Sequence, residues 1–377
     1  MLIKDDIKRM LGDLMRTELA RKKVDALAVF ELDDMDEVFV RMPQELLQNV
    51  FARAAAVFGF EPRTFSGLDV MTDFAFASYI KTGGVTFLTS GSTGAPKKCF
   101  HSDSMIREEA YGLKFLFPDV KRIVSLVPAN HLYGFSFTVT LPRALNVPVV
   151  TLPALPTQPW EKLLHEGDLV AGFPLFWNYW LRCGNHFPQG IYTLSSTSPC
   201  KDETIQGLLD AGTAGFTEIY GASETGAIAC RHAPAVPFEI LPFWETLNGP
   251  TPQIRRIAGG EWKQLPDQVE LKSERFLIPL KRTDECVQVA GINVYPKHVE
   301  EILADHPAVK ACRVRLMRPE EGNRLKAFII LNEGYSQEHL GIIRTYLTKK
   351  LTVHELPRTF TFGEHLPVSH LGKDADW

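Results

Sequence analysis

A chain of 377 residues with 45% apolar and 23% charged side chains has the make-up of a globular protein, and it exceeds the length at which a single core usually stops growing, so two domains are expected. The net charge of −4 lays down no basic footprint for nucleic acid or for an anionic membrane. Six scattered cysteines without a C-x-x-C pair argue against a zinc site and a secreted disulfide framework, and fit reduced thiols in a cytosol.

The opening residues Met1 to Arg9 are too charged for the apolar core of a signal peptide. The first eighty residues read as mostly helical, with Leu46, Val50 and Ala54 to Val57 forming an apolar stripe at helical spacing. A strand-like run, Val85-Thr86-Phe87-Leu88, then enters Thr89-Ser90-Gly91-Ser92-Thr93-Gly94-Ala95-Pro96-Lys97-Lys98. Gly91 and Gly94 let backbone N–H groups face one concavity, the hydroxyls of Thr89, Ser90, Ser92 and Thr93 add donors, and Lys97 and Lys98 add positive charge. Such a loop suits a polyphosphate. It is not the P-loop NTPase fingerprint, because Pro96 stands where that motif needs its second glycine. A plain Gly/Ser turn between strands is the alternative.

Short apolar runs at 123–127, 147–152, 169–173 and 216–220 alternate with helical patterns, which predicts an α/β body rich in parallel sheet. Ligands of such sheets gather at the carboxyl ends of the strands, where the loop is placed. Asn130, His131, Arg143, Asn146 and several prolines interrupt the most apolar region, so no span of about 20 apolar residues exists and no membrane partner is expected. Beyond Asp284 the pattern changes. Val287 to Val294, a helix starting near Pro296, alternation at Cys312, Val314 and Leu316, a strand at 325–331 and a helical stripe at Leu340, Ile343, Leu347 and Leu351 spell a small α+β unit. The expected division is 1–283 and 284–377.

Four further segments, in order after the loop, resemble the superfamily of acyl-CoA synthetases, adenylation domains and luciferases. They are His131-Leu132-Tyr133-Gly134-Phe135, Tyr220-Gly221-Ala222-Ser223-Glu224, Arg282-Thr283-Asp284 followed by Gly291 and by Pro296 to Glu300, and Pro367 to Lys373. The resemblance implies a large α/β domain with a small mobile C-terminal domain, and activation of a carboxylate by ATP as an acyl-adenylate. It implies His131 in the acyl site, Tyr220 and Gly221 against adenine with Ser196, in the segment from Ser195 to Pro199, as the other wall, and Ser223 at the α-phosphate. Glu224 is implied to hold Mg²⁺, Asp267 and Arg282 the ribose, and Lys373 to be the catalytic cation. Asp284 is implied as the hinge and Gly291 as a backbone beside the thiol acceptor. These residue types suit the chemistry, since two anions must meet and charge must be offset as the acid attacks phosphorus.

The chain also departs from the family. Its loop begins only about 85 residues in, so an N-terminal subdomain is shortened or missing; Gln288 replaces a common lysine, Lys281-Arg282 the usual Gly-Arg, and Leu265-Pro266-Asp267 the usual Thr-Gly-Asp. The layout and the run Cys286 to Pro296 resemble a short branch related to 4-coumarate-CoA ligases, which includes enzymes associated with photoactive yellow protein's chromophore. His131, Tyr133, Phe135, Phe173, Phe176 and Trp177 could line a pocket for a flat hydroxyaryl acid or could be core packing. The expectation is a cytoplasmic ligase joining such an acid to coenzyme A. The alternatives are loading of a carrier protein's phosphopantetheine and a catalytically silent nucleotide-binding module.

Overall fold

The structure, a computed structural model, describes residues 2–21, 34–89, 97–156, 158–249, 251–265, 267–282, 286–289, 292–367 and 377. It divides into two compact units, the larger drawn from Met1–Leu88 and Lys98–Lys281 and the smaller from Arg282–Trp377 together with the short stretch Thr89–Lys97. Among the described residues no helix is long and apolar enough to cross a membrane, and all six cysteines are free thiols.

Helices Lys4–Arg21, Met35–Arg41, Gln44–Phe58 and Leu68–Thr82 open the larger unit. In Gln44–Phe58 the stripe read from the sequence is the buried face, including Leu46, Val50, Phe51 and Ala54. The helix stops at Gly59, whose φ of 74° permits the left-handed cap that returns its N–H to the Ala55 carbonyl. Met10, Leu14, Val50, Phe51, Met71 and Ala75 close into one core, joined by Val85 and Phe87 of strand β1 (Gly84–Thr89).

That docking corrects one expectation. β1 pairs with β2 (Lys97–Ser102) in a two-stranded sheet of its own, so the hydroxyl-rich loop does not leave a strand of the main sheet. The apolar side chains of β1 are spent on the helical core instead.

Among the described residues the main sheet has nine strands. β3 (Arg122–Ser125), β4 (Val149–Thr151), β5 (Asp168–Ala171), β6 (Tyr192–Ser195) and β7 (Gly215–Ala222) run parallel in the order β7-β6-β5-β3-β4. β8 (Gly226–Arg231) and β9 (Phe238–Ile240) continue antiparallel from β7. Strands β10 (Trp244–Leu247), β11 (Gln253–Arg256) and β12 (Lys263–Gln264) form a separate small sheet, after which β13 (Asp267–Leu271) and β14 (Phe276–Arg282) complete the large one. The parallel half follows from the alternation of apolar runs with helices, because parallel neighbours need crossovers. The antiparallel half is built from short connections that the apolar pattern did not announce.

In the smaller unit, β15 (Val287–Val289) and β16 (Ile292–Val294) pair antiparallel. Helix Pro296–Ala304 carries its proline in the first turn, where a missing N–H is harmless. Strands β17 (Val309–Leu316), β18 (Leu325–Leu331) and β19 (Thr359–Phe362) form the second sheet, backed by Leu340–Lys350. Its core gathers Val299, Leu303, Val314, Ile329, Ile343 and Leu347.

At the amino edge of the parallel sheet Arg122 faces Asp168 in register. Nε meets Oδ1 at 2.8 Å and Nη2 meets Oδ2 at 2.6 Å, while the carboxylate, 1% exposed, also accepts from the His165 N–H at 2.7 Å. Arg122→Met keeps the stem but strands a buried carboxylate. It is expected to lower the unfolding free energy by about 3 kcal/mol in chemical denaturation; a loss under about 1 kcal/mol would show the pair to be dispensable.

Candidate functional site

Because β3, β5, β6 and β7 point the same way, the segments that follow them share one edge of the sheet. Those segments are 126–135, 172–177, 196–199 and 223–225. His131, Phe173, Ser196, Ser223 and Glu224 therefore belong to one carboxyl edge, with Tyr220 and Gly221 at the carboxyl end of strand β7. Ser196 Oγ donates to the Ile219 carbonyl at 3.0 Å, tying the end of β6 to β7. Thr197 beside it has a φ of 78°, a conformation costly for a β-branched residue.

Tyr220 and Asp267, 47 residues apart, meet directly, with the phenol donating to the carboxylate at 2.7 Å. Sequence reasoning assigned both to one nucleotide. Gly221 is required by the backbone: a β-carbon would come within 2.4 Å of the Gly226 carbonyl where β7 and β8 cross a register shift. Lys97 opens β2 and is exposed. Thr89 closes β1 and Arg282 closes β14. Ser90, Gly91, Ser92, Thr93, Gly94, Asp284, Gly291 and Lys373 lie outside the described residues.

The turn of Ser223 to Thr225 rests on groups that the sequence reading did not single out. His101, at the end of β2 and 3% exposed, donates from Nε2 to the Ser223 carbonyl at 2.7 Å. A carbonyl only accepts, so the ring proton sits on Nε2. Burial pushes the imidazole below its ordinary value near 6.5, with Glu109, Arg256 and Lys263 as its charged neighbours. Behind it, Arg256 Nη2 donates to Glu109 Oε2 and to the Thr225 carbonyl, both at 3.0 Å. The guanidinium lies 4.2 Å from the Trp244 ring centre and 4.6 Å from that of Phe243. Gly226, at φ 84°, brings the backbone so near that a β-carbon would meet Glu109 Oε2 at 2.0 Å.

Glu109 also accepts from Ser136 Oγ at 2.8 Å, and so reaches the segment expected to line the acyl site. There the helix Leu132–Phe135 widens into a π-helical turn, Ser136–Thr140. Tyr133 donates to the Gly172 carbonyl at 2.9 Å, across the ends of β5 and β6. Arg9 holds Thr138 through its backbone carbonyl and, at 2.9 Å, its hydroxyl, and Asp13 accepts from the Ala129 N–H at 2.7 Å. Of the six residues considered for a pocket, Phe135, Phe176 and Trp177 are fully buried in hydrophobic clusters, Phe173 is half-buried and His131 is exposed. The first three are core packing.

His101 yields a pH test. Its folded value is depressed, so the unfolded state binds the proton more tightly and stability falls as pH drops below about 6.5. In His101→Gln that contribution is absent. Between pH 7 and 5 the wild-type unfolding free energy is expected to fall faster than the variant's, by up to about 1.4 kcal/mol per pH unit; parallel curves would remove His101 from the acid response.

Residues 85–250 match the family of AMP-binding enzymes, and residues 298–373 match the AMP-binding enzyme C-terminal domain. A 4-coumarate–CoA ligase of Halorhodospira halophila is 35% identical over 295 residues, which cover 78% of this chain and 75% of that protein. The enzyme of the same name from Rhodobacter capsulatus is 34% identical, covering 80% and 77%. Among solved structures, an o-succinylbenzoate CoA synthetase from Bacillus subtilis shares the fold with a TM-score of 0.65 at 19% identity, over 77% of this chain and 67% of its own. A malonyl-CoA ligase does so with a TM-score of 0.63 at 18% identity, over 75% and 71%. Matched by that family model and by relatives at about a third identity over more than three quarters of its length, the chain belongs to the adenylate-forming family of AMP-binding enzymes.

Proposed function

We propose that the protein joins a hydroxyaryl acid such as 4-coumarate to coenzyme A in two steps at one site. In the first, a carboxylate oxygen attacks the α-phosphorus of ATP; the new O–P bond forms as the bond to pyrophosphate breaks. In the second, the thiol sulfur attacks the acyl carbon and AMP leaves. The observation that carries the reading is the Tyr220–Asp267 contact of 2.7 Å, which supports a shared role for the two residues that the resemblance assigns to adenine and to the ribose. The 4-coumarate–CoA ligases matched over more than three quarters of this chain support the choice of acid and acceptor.

In this reading Ser196 and Tyr220 flank adenine, Asp267 and Arg282 bind the ribose, and Ser223 with the loop from Thr89 to Lys97 cradles the phosphates. Glu224 is the ligand for Mg²⁺. Among the described residues no three His, Cys, Asp or Glu converge on a cage, which fits an ion that keeps its waters and takes one or two carboxylates plus phosphates. When bound, the ion neutralises phosphate charge. Lys373 contacts the attacking oxygen and the phosphate as charge develops. Residues 284–377, turning about Asp284, then exchange Lys373 for Gly291 beside the thiol.

Exchange of labelled pyrophosphate into ATP, with a panel of aryl and aliphatic acids, tests the reading. Acid-dependent exchange is expected, followed by AMP release on addition of coenzyme A. Release with an acyl carrier protein and none with coenzyme A would reassign the acceptor, and no exchange with any acid would leave a silent nucleotide-binding module. Lys373→Ala is expected to lose at least ~100-fold in exchange while still passing a preformed acyl-adenylate to the thiol; near-normal exchange would take Lys373 out of the mechanism.

A further inference from the structure

Asn130 is 8% exposed, and neither its Oδ1 nor its Nδ2 has a hydrogen-bond partner in the protein. Buried carboxamides are nearly always paired, so one with both ends open marks a place where another molecule is met. The backbone around it is fixed. The Ala129 N–H is held by Asp13, the His131 N–H by the Pro128 carbonyl at 3.3 Å, and Tyr133 is anchored on the Gly172 carbonyl.

Its place limits what it can meet. Asn130 follows β3 on the carboxyl edge, directly before His131 and the segment that Tyr133 lays across β5 and β6. The nucleotide residues Ser196, Tyr220 and Ser223 follow or end β6 and β7. β3 lies three positions from β7 in the sheet order, or about 14 Å at the usual strand spacing, which in the acid-activating reading is the acyl side of the edge rather than the phosphate side.

The chemistry of the carboxamide narrows the ligand further. Nδ2 donates and Oδ1 accepts. A carboxylate or phosphate would serve the donor but confront Oδ1 with a second acceptor, and an apolar group would serve neither. A neutral hydroxyl both accepts and donates, and it satisfies the pair. We propose that Asn130 reads a hydroxyl on the acyl portion of the acid, making it the residue that sets the substrate class as hydroxylated rather than plain aryl or aliphatic acids. The inference rests on the acid-activating reading above.

Pyrophosphate exchange by the full chain with 4-hydroxycinnamate against cinnamate, and 4-hydroxybenzoate against benzoate, tests it. A site built to pair a hydroxyl rejects the analogue lacking it, so kcat/KM is expected to favour the hydroxylated member by at least ~100-fold in one pair. In Asn130→Leu that ratio is expected to fall below about 5, with the loss carried by the KM of the hydroxylated acid. A wild-type ratio near one overturns the inference while leaving acid activation intact, and does so without any variant. An unaltered ratio in Asn130→Leu overturns it too, showing that a structural water alone satisfies the carboxamide. No exchange with any acid rejects the acid-activating reading together with this one.

Discussion

The buried contact of Arg256 with Glu109 is the constraint on which the carboxyl edge depends. Two opposite charges removed from water need each other, because either one left alone in the interior would be strongly disfavoured. Here Arg256 Nη2 also donates to the Thr225 carbonyl, Nη1 lies 3.4 Å from Glu108 Oε2, and Glu109 also accepts from the Ser136 hydroxyl, so the pair reaches both the turn after β7 and the π-helical turn Ser136–Thr140. Satisfying one ion pair therefore fixes both halves of the edge, and the Trp244 and Phe243 faces exclude the water that would loosen it. Gly226 is the price of that closeness, since only a residue without a β-carbon fits beside Glu109.

Much of this was legible from the residues themselves. The helical stripe of Gln44–Phe58, the parallel strands β3, β5, β6 and β7, and the order of the smaller unit all follow from apolar period and from proline placement. The Tyr-Gly segment and Asp267 were picked by resemblance, and the structure brings them within one hydrogen bond. What stayed hidden depends on contacts that no local pattern encodes. Arg256 and Glu109 are 147 residues apart, and His101 gains its role only because β2 lies against the Ser223 carbonyl. One signal was available: Glu109 sits on the same helical stripe as the buried Ile106 and Leu113, and a carboxylate on an apolar face demands a partner. β1 was misplaced for a similar reason, because a strand-like run does not say which partner it pairs with.

The family membership and the geometry support one another at different levels. Relatives at about a third identity carry the adenylate-forming assignment, whereas the structural neighbours below 25% identity speak for the fold. The residues of this chain then supply what kinship does not. A buried imidazole beneath the turn, an open carboxamide before His131 and a strained Thr197 beside Ser196 are individual features, each with a physical cost that the surrounding packing sustains.

The first helix has a consequence of its own. Arg9 and Asp13 grip the stretch from Ala129 to Thr138, so the segment proposed to meet the acid is braced by residues more than a hundred positions earlier. Transplanting that loop from a cousin with different tastes would leave the guanidinium and the carboxylate gripping a foreign backbone. Altering selectivity in this scaffold means redesigning the brace along with the loop.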